Sequence, residues 1–321
     1  MRKLFVSAVF IFTTFSLSAK VGLPSVICDN MVLQQQTDAA LWGTATPGKT
    51  VTISPSWAKK KIRVKADQET GKWMTKVSTP KAGGPYSIDF SDGETLTVSN
   101  VLIGEVWFCS GQSNMYMRMS GYPSSPTEGA SEAVYSAKAT TPVRIFEPPC
   151  RMTANPEYEC GGKWEENTPD VVVRSSALAW FFATYLQSVL DVPVGVIVSS
   201  YGGSSIESWI DRPTLEKDFP GEFNLSALDA QDPKFDVLTP CALYNGQVAA
   251  LEPYTFKGML WYQGCTNRDR AEQYTRLQTT YVSMMREKFH NPDAGFYFVQ
   301  LSPFWCNDPE GFKTGYFLEA Q

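Results

Sequence analysis

The pattern of apolar residues changes near residue 102, and this change constrains the fold more than any other feature of the 321-residue sequence. Residues 20–101 contain short apolar stretches separated by turn signals such as Pro47-Gly48 and Asp92-Gly93. Short strands at this spacing are typical of an antiparallel β-sandwich. In residues 102–321, strand-like stretches alternate with helical ones, which indicates a mostly parallel sheet between two layers of helices. The sequence therefore predicts an α/β protein: an N-terminal sandwich followed by a three-layer domain.

The predicted elements follow this division. The sandwich strands are Met31–Gln34, Ala40–Gly43, Val51–Ile53, Lys61–Lys65, Trp73–Val77, Tyr86–Phe90 and Thr95–Val98. The later strands are Val106–Cys109, Val194–Val198, Gly258–Tyr262 and Gly295–Leu301. A helix is predicted over Ser175–Leu190, with Leu178, Phe181, Phe182, Tyr185, Leu186 and Val189 as its buried face. A second helix is predicted over Arg270–Phe289, burying Tyr274, Leu277, Tyr281, Met284 or Met285, and Phe289. Asp211–Cys241 is expected to be a long loop over the site.

The N-terminus has the pattern of a secretory signal peptide. Arg2 and Lys3 precede the apolar stretch Leu4–Leu17, and the small residues Ser18 and Ala19 follow it. We therefore expect residues 1–19 to be removed and the mature protein to be periplasmic or extracellular, without a membrane span. The net charge of −5 and the absence of a long basic run argue against a nucleic-acid partner.

Seven cysteines in an exported chain permit disulfides, and the odd number leaves at least one thiol free. Cys150 and Cys160 lie close together in a proline-containing segment and are the first candidate pair. The sequence contains no Cys-x-x-Cys motif and only one histidine, which argues against a zinc site.

Three predicted strands end in loops of small and amide residues. The first loop contains Ser113, the second contains Gly203, and the third contains Gln263 and Asn267. If the strands are parallel, these loops meet at one sheet edge, where α/β proteins bind ligands. A hydroxyl nucleophile would there lie beside backbone and carboxamide N–H groups, the donors that stabilise a tetrahedral alkoxide.

The motifs GEVWFCSGQSNM, GGSSIESW and WYQGCTN, in this order, resemble the sialate O-acetylesterase family of SGNH-type carbohydrate esterases. The resemblance extends over essentially the whole mature chain. It implies that Ser113 is the nucleophile and that its own N–H, Gly203 and Gln263, with Asn267 nearby, form the oxyanion hole. It also implies hydrolysis of O-acetyl esters on sialic acids, or on other sugars such as acetylated xylan, with no metal or organic cofactor.

The chain departs from the family pattern in two places. Cys265 stands where the family usually has glutamate. The Asp-x-x-His motif that supplies the base near the C-terminal end of such domains is absent, and the chain ends in a stretch that resembles the family well before that motif. The one histidine, His290, precedes the predicted strand Gly295–Leu301 and so lies at its amino end, about 20 Å from the active edge. We therefore expect a truncated member with weak or no turnover.

Further residues near these loops have two interpretations. Gln112, Asn114, Glu207 and Trp209 are candidates for substrate binding, whereas packing or local hydrogen bonding would explain Glu207 and Trp209 equally simply. Arg118 could pair with a substrate carboxylate or form an ordinary salt bridge. Two alternatives to an esterase also remain: a glycan-binding protein without turnover, or an unstable fragment with exposed apolar surface.

Overall fold

The structure is a computed structural model that describes residues 20–302 and 312–321. The predicted signal peptide and Cys306 lie outside these ranges. The strands are β1 Val32–Gln34, β2 Asp38–Thr44, β3 Thr50–Pro55, β4 Ile62–Lys65, β5 Lys72–Ser78, β6 Gly83–Ser91, β7 Thr95–Gly111, β8 Val143–Phe146, β9 Trp164–Glu166, β10 Val194–Ser200, β11 Gly258–Tyr262 and β12 Gly295–Phe298. The helices are α1 Ser113–Tyr116, α2 Ala130–Ser136, α3 Pro169–Val172, α4 Ala177–Leu190, α5 Arg212–Asp218, α6 Ala271–Lys288 and α7 Phe312–Ala320.

The N-terminal strands form a sandwich, as predicted. β2 and β5 make a two-stranded antiparallel sheet, and β4, β3, β6 and β7 make a second antiparallel array. The two layers share a core, in which Trp73 of β5 lies 5.9 Å from Phe90 of β6 between ring centroids. All seven predicted strands are present, although β1 pairs in parallel with β7 rather than antiparallel.

One strand, β7, joins the sandwich to the α/β part. Its first half pairs antiparallel with β6, and its second half pairs in parallel with β10 and β11. The sequence predicts two separate strands here, with a domain boundary between residues 101 and 102, and that boundary falls inside β7. A register shift opposite Val98–Val101 coincides with Asn100, whose φ of 54° is the left-handed conformation that asparagine tolerates. The bulge redirects the strand without ending it.

The central sheet has the strand order β9-β8-β10-β7-β11-β12. All neighbours are parallel except β9, which pairs antiparallel with β8 at the edge. α4 packs on one face of the sheet, where Trp180 and Ala183 join Cys109 and Val196 in one core. α6 packs on the other face. The predicted three-layer α/β class is therefore confirmed.

The predicted face of α6 is confirmed, whereas that of α4 is confirmed only in part: Leu178, Phe182 and Leu186 are half-buried against the core. Tyr274, Leu277 and Tyr281 of α6 are buried. In α4 the buried residues are Ala177, Ala179, Trp180 and Ala183, while Phe181, Tyr185 and Val189 are 40%, 73% and 61% exposed. Both sides of this helix are apolar, so periodicity does not distinguish them. The side with three alanines faces the sheet, where small side chains allow close approach.

Three further expectations need correction. Asp211–Cys241 is not only loop: it contains α5, whose N-terminus is capped by Asp211 accepting from Thr214 N at 3.0 Å, and a 3₁₀ turn at Ser226–Asp229. The short edge strand β9 and its neighbour β8 were not predicted. Cys150 and Cys160 form no disulfide, since all six described cysteines are unbridged.

No helix in the described ranges is both long and apolar enough to cross a bilayer.

Candidate active site

The three predicted loops meet at the carboxyl edge of the central sheet. The parallel registers align Gly111, the last residue of β7, with Ser200 of β10 on one side and Tyr262 of β11 on the other. Backbone hydrogen bonds tie the loops together beyond the strands: Gln112 N donates to Tyr262 O at 2.9 Å, and Tyr201 N donates to Gly111 O at 3.0 Å. The convergence predicted from the sequence is therefore present.

Ser113 is the first residue of α1 and is half-buried. The sharp exit from β7 requires glycine at position 111, where φ is +146° and a Cβ would lie 2.2 Å from Tyr262 O. Tyr122 Oη donates to Ser113 O at 3.0 Å, which fixes the backbone of the turn. Among the described residues, no side chain forms a hydrogen bond with the Ser113 hydroxyl.

The glycine loop after β10 lies directly beside Ser113. A Cβ placed on Gly202 would be 3.9 Å from Ser113 Cβ, and Gly203 has a φ of +76°. The backbone N–H groups of Ser113 and Gly203 donate to no acceptor within residues 20–302 and 312–321. Two unused donors next to a hydroxyl are the elements of an oxyanion hole.

Gln263 and Asn267 have a different arrangement from the predicted one. Gln263 Nε2 donates to Ser204 O at 3.1 Å and to Asn267 Oδ1 at 2.7 Å, so both of its hydrogens are already used. Asn267 Oδ1 also accepts from Ile206 N at 3.0 Å. Both side chains are fully buried. In this structure both side chains hold the loop that contains Gly203.

Glu207 and Trp209 are also part of this support. Glu207 is 5% exposed, accepts from Asn267 Nδ2 at 2.8 Å, and forms an ion pair with Arg270 at 2.7 Å. Trp209 is completely buried and donates its indole N–H to Ser204 Oγ at 3.0 Å. Both side chains are thus engaged within the protein. The simpler interpretation, packing and local hydrogen bonding, is the one observed.

The other candidates differ in accessibility. Gln112 is 3% exposed, and its Oε1 accepts from Gly264 N at 2.9 Å, so it links the first and third loops. Asn114 is half-buried, and its side chain has no hydrogen-bond partner in the described part of the chain. Cys265 begins the 3₁₀ turn Cys265–Arg270, which carries Asn267. Asn114 is therefore the candidate that remains available to a ligand.

A cavity of about 450 Å³ adjoins the nucleophile loop. It is lined by Tyr116, by the ion pair of Arg118 with Glu147, and by Ser200. Burial raises the pKa of the Glu147 carboxyl, and Arg118 opposes this shift. The Ser200 hydroxyl is buried and has no partner among the described residues. The sequence did not indicate Glu147 or Ser200, because β8, which delivers Glu147 to this edge, was not recognised.

No histidine or carboxylate in the described ranges forms a hydrogen bond with the Ser113 hydroxyl. His290 is exposed and follows the C-terminus of α6, at the amino edge of the sheet, as predicted. At that edge Gly258 of β11 pairs with Trp107 of β7. Trp107 lies four residues before Gly111, which is about 13 Å along the strand at about 3.3 Å per residue. No cluster of three potential metal ligands occurs among these residues.

Comparison with known proteins places this chain in a family. The family model for "Carbohydrate esterase, sialic acid-specific acetylesterase" matches residues 103–314. The sialate O-acetylesterases of Mus musculus and Homo sapiens are 30% and 31% identical over 336 and 316 residues, covering 90% and 89% of this chain. This chain spans 62% and 58% of their lengths.

A solved structure has the same fold over nearly the whole chain. The crystal structure of a carbohydrate acetylesterase from Xanthomonas citri superposes with a TM-score of 0.81 and 29% identity, covering 94% of this chain and 65% of that one. Together with the family match over residues 103–314, this likeness shows that the chain belongs to the sialic acid-specific acetylesterase family of carbohydrate esterases.

Proposed function

We propose that this protein is a carbohydrate O-acetylesterase in which Ser113 is the nucleophile. One observation carries the proposal: Ser113 lies next to the Gly202-Gly203 loop, and the N–H groups of Ser113 and Gly203 have no acceptor in the described structure. Donors arranged in advance around a developing oxyanion are the largest contribution to many acyl transfers. Membership in an acetylesterase family supports the same reaction.

The proposed reaction has two steps. Ser113 Oγ attacks the acetyl carbonyl carbon, the new Oγ–C bond forms, and the carbonyl oxygen becomes an alkoxide held by the two N–H groups. Collapse of this intermediate breaks the ester bond, and the sugar oxygen leaves as a hydroxyl after taking a proton. Water then attacks the acetyl-serine, releasing acetate and restoring the hydroxyl of Ser113.

The proton of Ser113 has no protein acceptor in this proposal. A general base must come within about 3 Å of the hydroxyl, and no histidine or carboxylate in residues 20–302 or 312–321 does so. The proton therefore passes to water or to a buffer base. We accordingly propose slow turnover, with rate acceleration derived from the oxyanion donors and from sugar binding.

The substrate is proposed to be an O-acetylated sialic acid or a related acetylated sugar. The cavity lined by Tyr116, Arg118 and Ser200 would receive the sugar next to Ser113. The murine and human relatives are named sialate O-acetylesterases, and the Xanthomonas citri relative is a carbohydrate acetylesterase. Acetylated xylan is the competing substrate.

Export is proposed as well, because residues 2–19 have the charge, apolar core and small residues of a signal peptide. Determining the N-terminus of the protein from an exporting host tests this point. A mature chain that starts near Lys20 supports export, and a chain that retains residues 2–19 in the cytoplasm contradicts it.

The function is tested by measuring acetate released from O-acetylated sialic acid and from acetylated xylo-oligosaccharides, with the unmodified sugars as blanks. Release from either substrate above the buffer rate supports an esterase, and the faster one identifies the sugar. Saturable binding of both sugars with no release by a folded protein would instead support the glycan-binding alternative, which the unpartnered Ser113 hydroxyl also allows.

A further inference from the structure

A second cavity, of about 850 Å³, lies at the amino edge of the central sheet, opposite the edge that carries Ser113. The sandwich contributes one wall, including Gln36 and Met74. The α/β part contributes the other wall, including Lys257, Asn291 and Tyr297. Its volume lies within the range of about 300–1,000 Å³ that is common for small-molecule sites. The cavity is therefore large enough for a ligand that contacts both parts of the chain.

Trp107 supports one wall of this cavity. The side chain lines the cavity, is only 9% exposed, and packs against Tyr297 with ring centroids 5.7 Å apart. Its indole N–H is buried, so it is not offered to a ligand in the cavity. Trp107 therefore holds the Tyr297 ring beside the cavity.

The charges around the cavity balance. Lys76 and Lys257 face Asp38 and Asp293 across it, and neither lysine nor Asp293 forms an ion pair with another described residue. Asp38 accepts a hydrogen bond from Ser78 Oγ at 2.6 Å. Equal numbers of anions and cations favour an uncharged polar ligand over a strongly charged one.

The remaining groups combine exposed apolar faces with hydrogen-bonding amides. Tyr297 is 59% exposed and Met74 is 55% exposed. Gln36 is exposed, and Asn291 uses its Nδ2 on Phe256 O at 2.6 Å, which leaves its Oδ1 available. A pyranose ring presents an apolar face and a rim of hydroxyls, and it matches this combination better than a purely apolar molecule does.

We propose that this cavity binds a neutral, unacetylated segment of an oligosaccharide, with Tyr297 against a sugar ring and the amides of Gln36 and Asn291 bonding to its hydroxyls. The choice of a glycan as ligand rests on the proposed function. Trp107 lies four residues before Gly111 on β7, about 13 Å along the strand, so this site is separate from the esterase site. It holds the polymer while a different segment is deacetylated.

The test is calorimetric titration of the full chain carrying Ser113→Ala with unacetylated xylo-, cello- and manno-hexasaccharides. At least one is expected to bind saturably. Tyr297→Ala should weaken that binding at least tenfold, and Gln36→Ala, which removes an exposed amide from the cavity wall, should weaken it about fivefold. Tyr185→Ala, at a tyrosine that is 73% exposed on α4, is the matched control and should leave the affinity unchanged.

Two outcomes would overturn the proposal: none of the three hexasaccharides binds, or the bound one is unaffected by Tyr297→Ala and Gln36→Ala while circular dichroism shows that the variants are folded. Because these titrations use a chain without the nucleophile and sugars without acetyl groups, they are independent of turnover. Retained binding together with no acetate release by the unsubstituted chain would contradict the proposed function alone.

Discussion

Asn267 donates its Nδ2 hydrogen to Oε2 of Glu207 over 2.8 Å, and this bond joins the loop after β11 to the loop after β10. Arg270 holds the other carboxylate oxygen at 2.7 Å. The same Asn267 accepts from Gln263, so one buried chain of hydrogen bonds supports the segment that contains Gly203. Gln263, Asn267 and Glu207, predicted from the sequence as site residues, therefore hold the loop that contains Gly203.

Replacing Glu207 with glutamine tests this support. Glu207→Gln keeps the shape but places an amide N–H against either Arg270 or Asn267, and it removes the charge from two hydrogen bonds. We expect the free energy of unfolding to fall by about 2 kcal/mol, in line with bonds to charged groups. Chemical denaturation measures this loss. The control is Asp229→Asn in the exposed pair with Arg212, which should leave stability unchanged within error.

A second prediction concerns the backbone of Gly203. Gly203→Ala forces a side chain into a left-handed conformation at a φ of +76°, with a cost of about 1 kcal/mol, and shifts the N–H that faces the oxyanion. Gly221 has a φ of +77° and open space around it, so Gly221→Ala carries the same backbone cost away from the site. We expect similar losses of stability from both substitutions but a loss of esterase turnover, at least tenfold, only from Gly203→Ala. Equal turnover in the two variants would contradict the proposal that the Gly203 N–H belongs to the oxyanion hole.

The absence of a hydrogen-bonded base at Ser113 in residues 20–302 and 312–321 leads to a prediction of chemical rescue. If the Ser113 proton passes to solvent, neutral imidazole added to the assay should take it and raise the rate of acetate release. The increase should grow with imidazole concentration in the unsubstituted chain and be absent in Ser113→Ala after subtraction of the reaction in buffer. Identical imidazole dependence in the two chains would mean that the ester is hydrolysed in solution rather than at Ser113.

Sequence patterns predicted β10, β11, β12 and the strands of the sandwich, together with the meeting of the three loops, because strand length and turn residues are encoded locally. They did not predict that β7 continues through Asn100, because a bulge maintained by partners on β6 is not visible in the strand's own residues. The hydrogen bonds of Gln263 also depend on where Ser204 and Asn267 lie in space. The residue types indicated that these side chains belong to the site. Only the fold shows which hydrogen bonds they form with one another and with the loop that contains Gly203.

The corrected face of α4 gives a fourth prediction. Ala183 is fully buried against the sheet, so Ala183→Leu should overpack the core and lower the free energy of unfolding by about 1–3 kcal/mol. Tyr185 is 73% exposed, and Tyr185→Ser should change it by less than about 0.5 kcal/mol. Thermal or chemical denaturation compares the two. A larger loss of stability from Tyr185→Ser than from Ala183→Leu would mean that the Tyr185 side of α4 is the buried one.

The most direct measurement compares acetate release from a chromogenic acetyl ester by the unsubstituted chain, by Ser113→Ala and by Ser124→Ala, an exposed serine in the turn before α2. Peptide mass spectrometry of the quenched reaction locates any acetyl group. We predict slow release by the unsubstituted chain and Ser124→Ala, with acetyl on Ser113, and release at the buffer rate by Ser113→Ala. Equal release by all three folded chains, or acetyl on another residue, would contradict the assignment of Ser113 as the nucleophile.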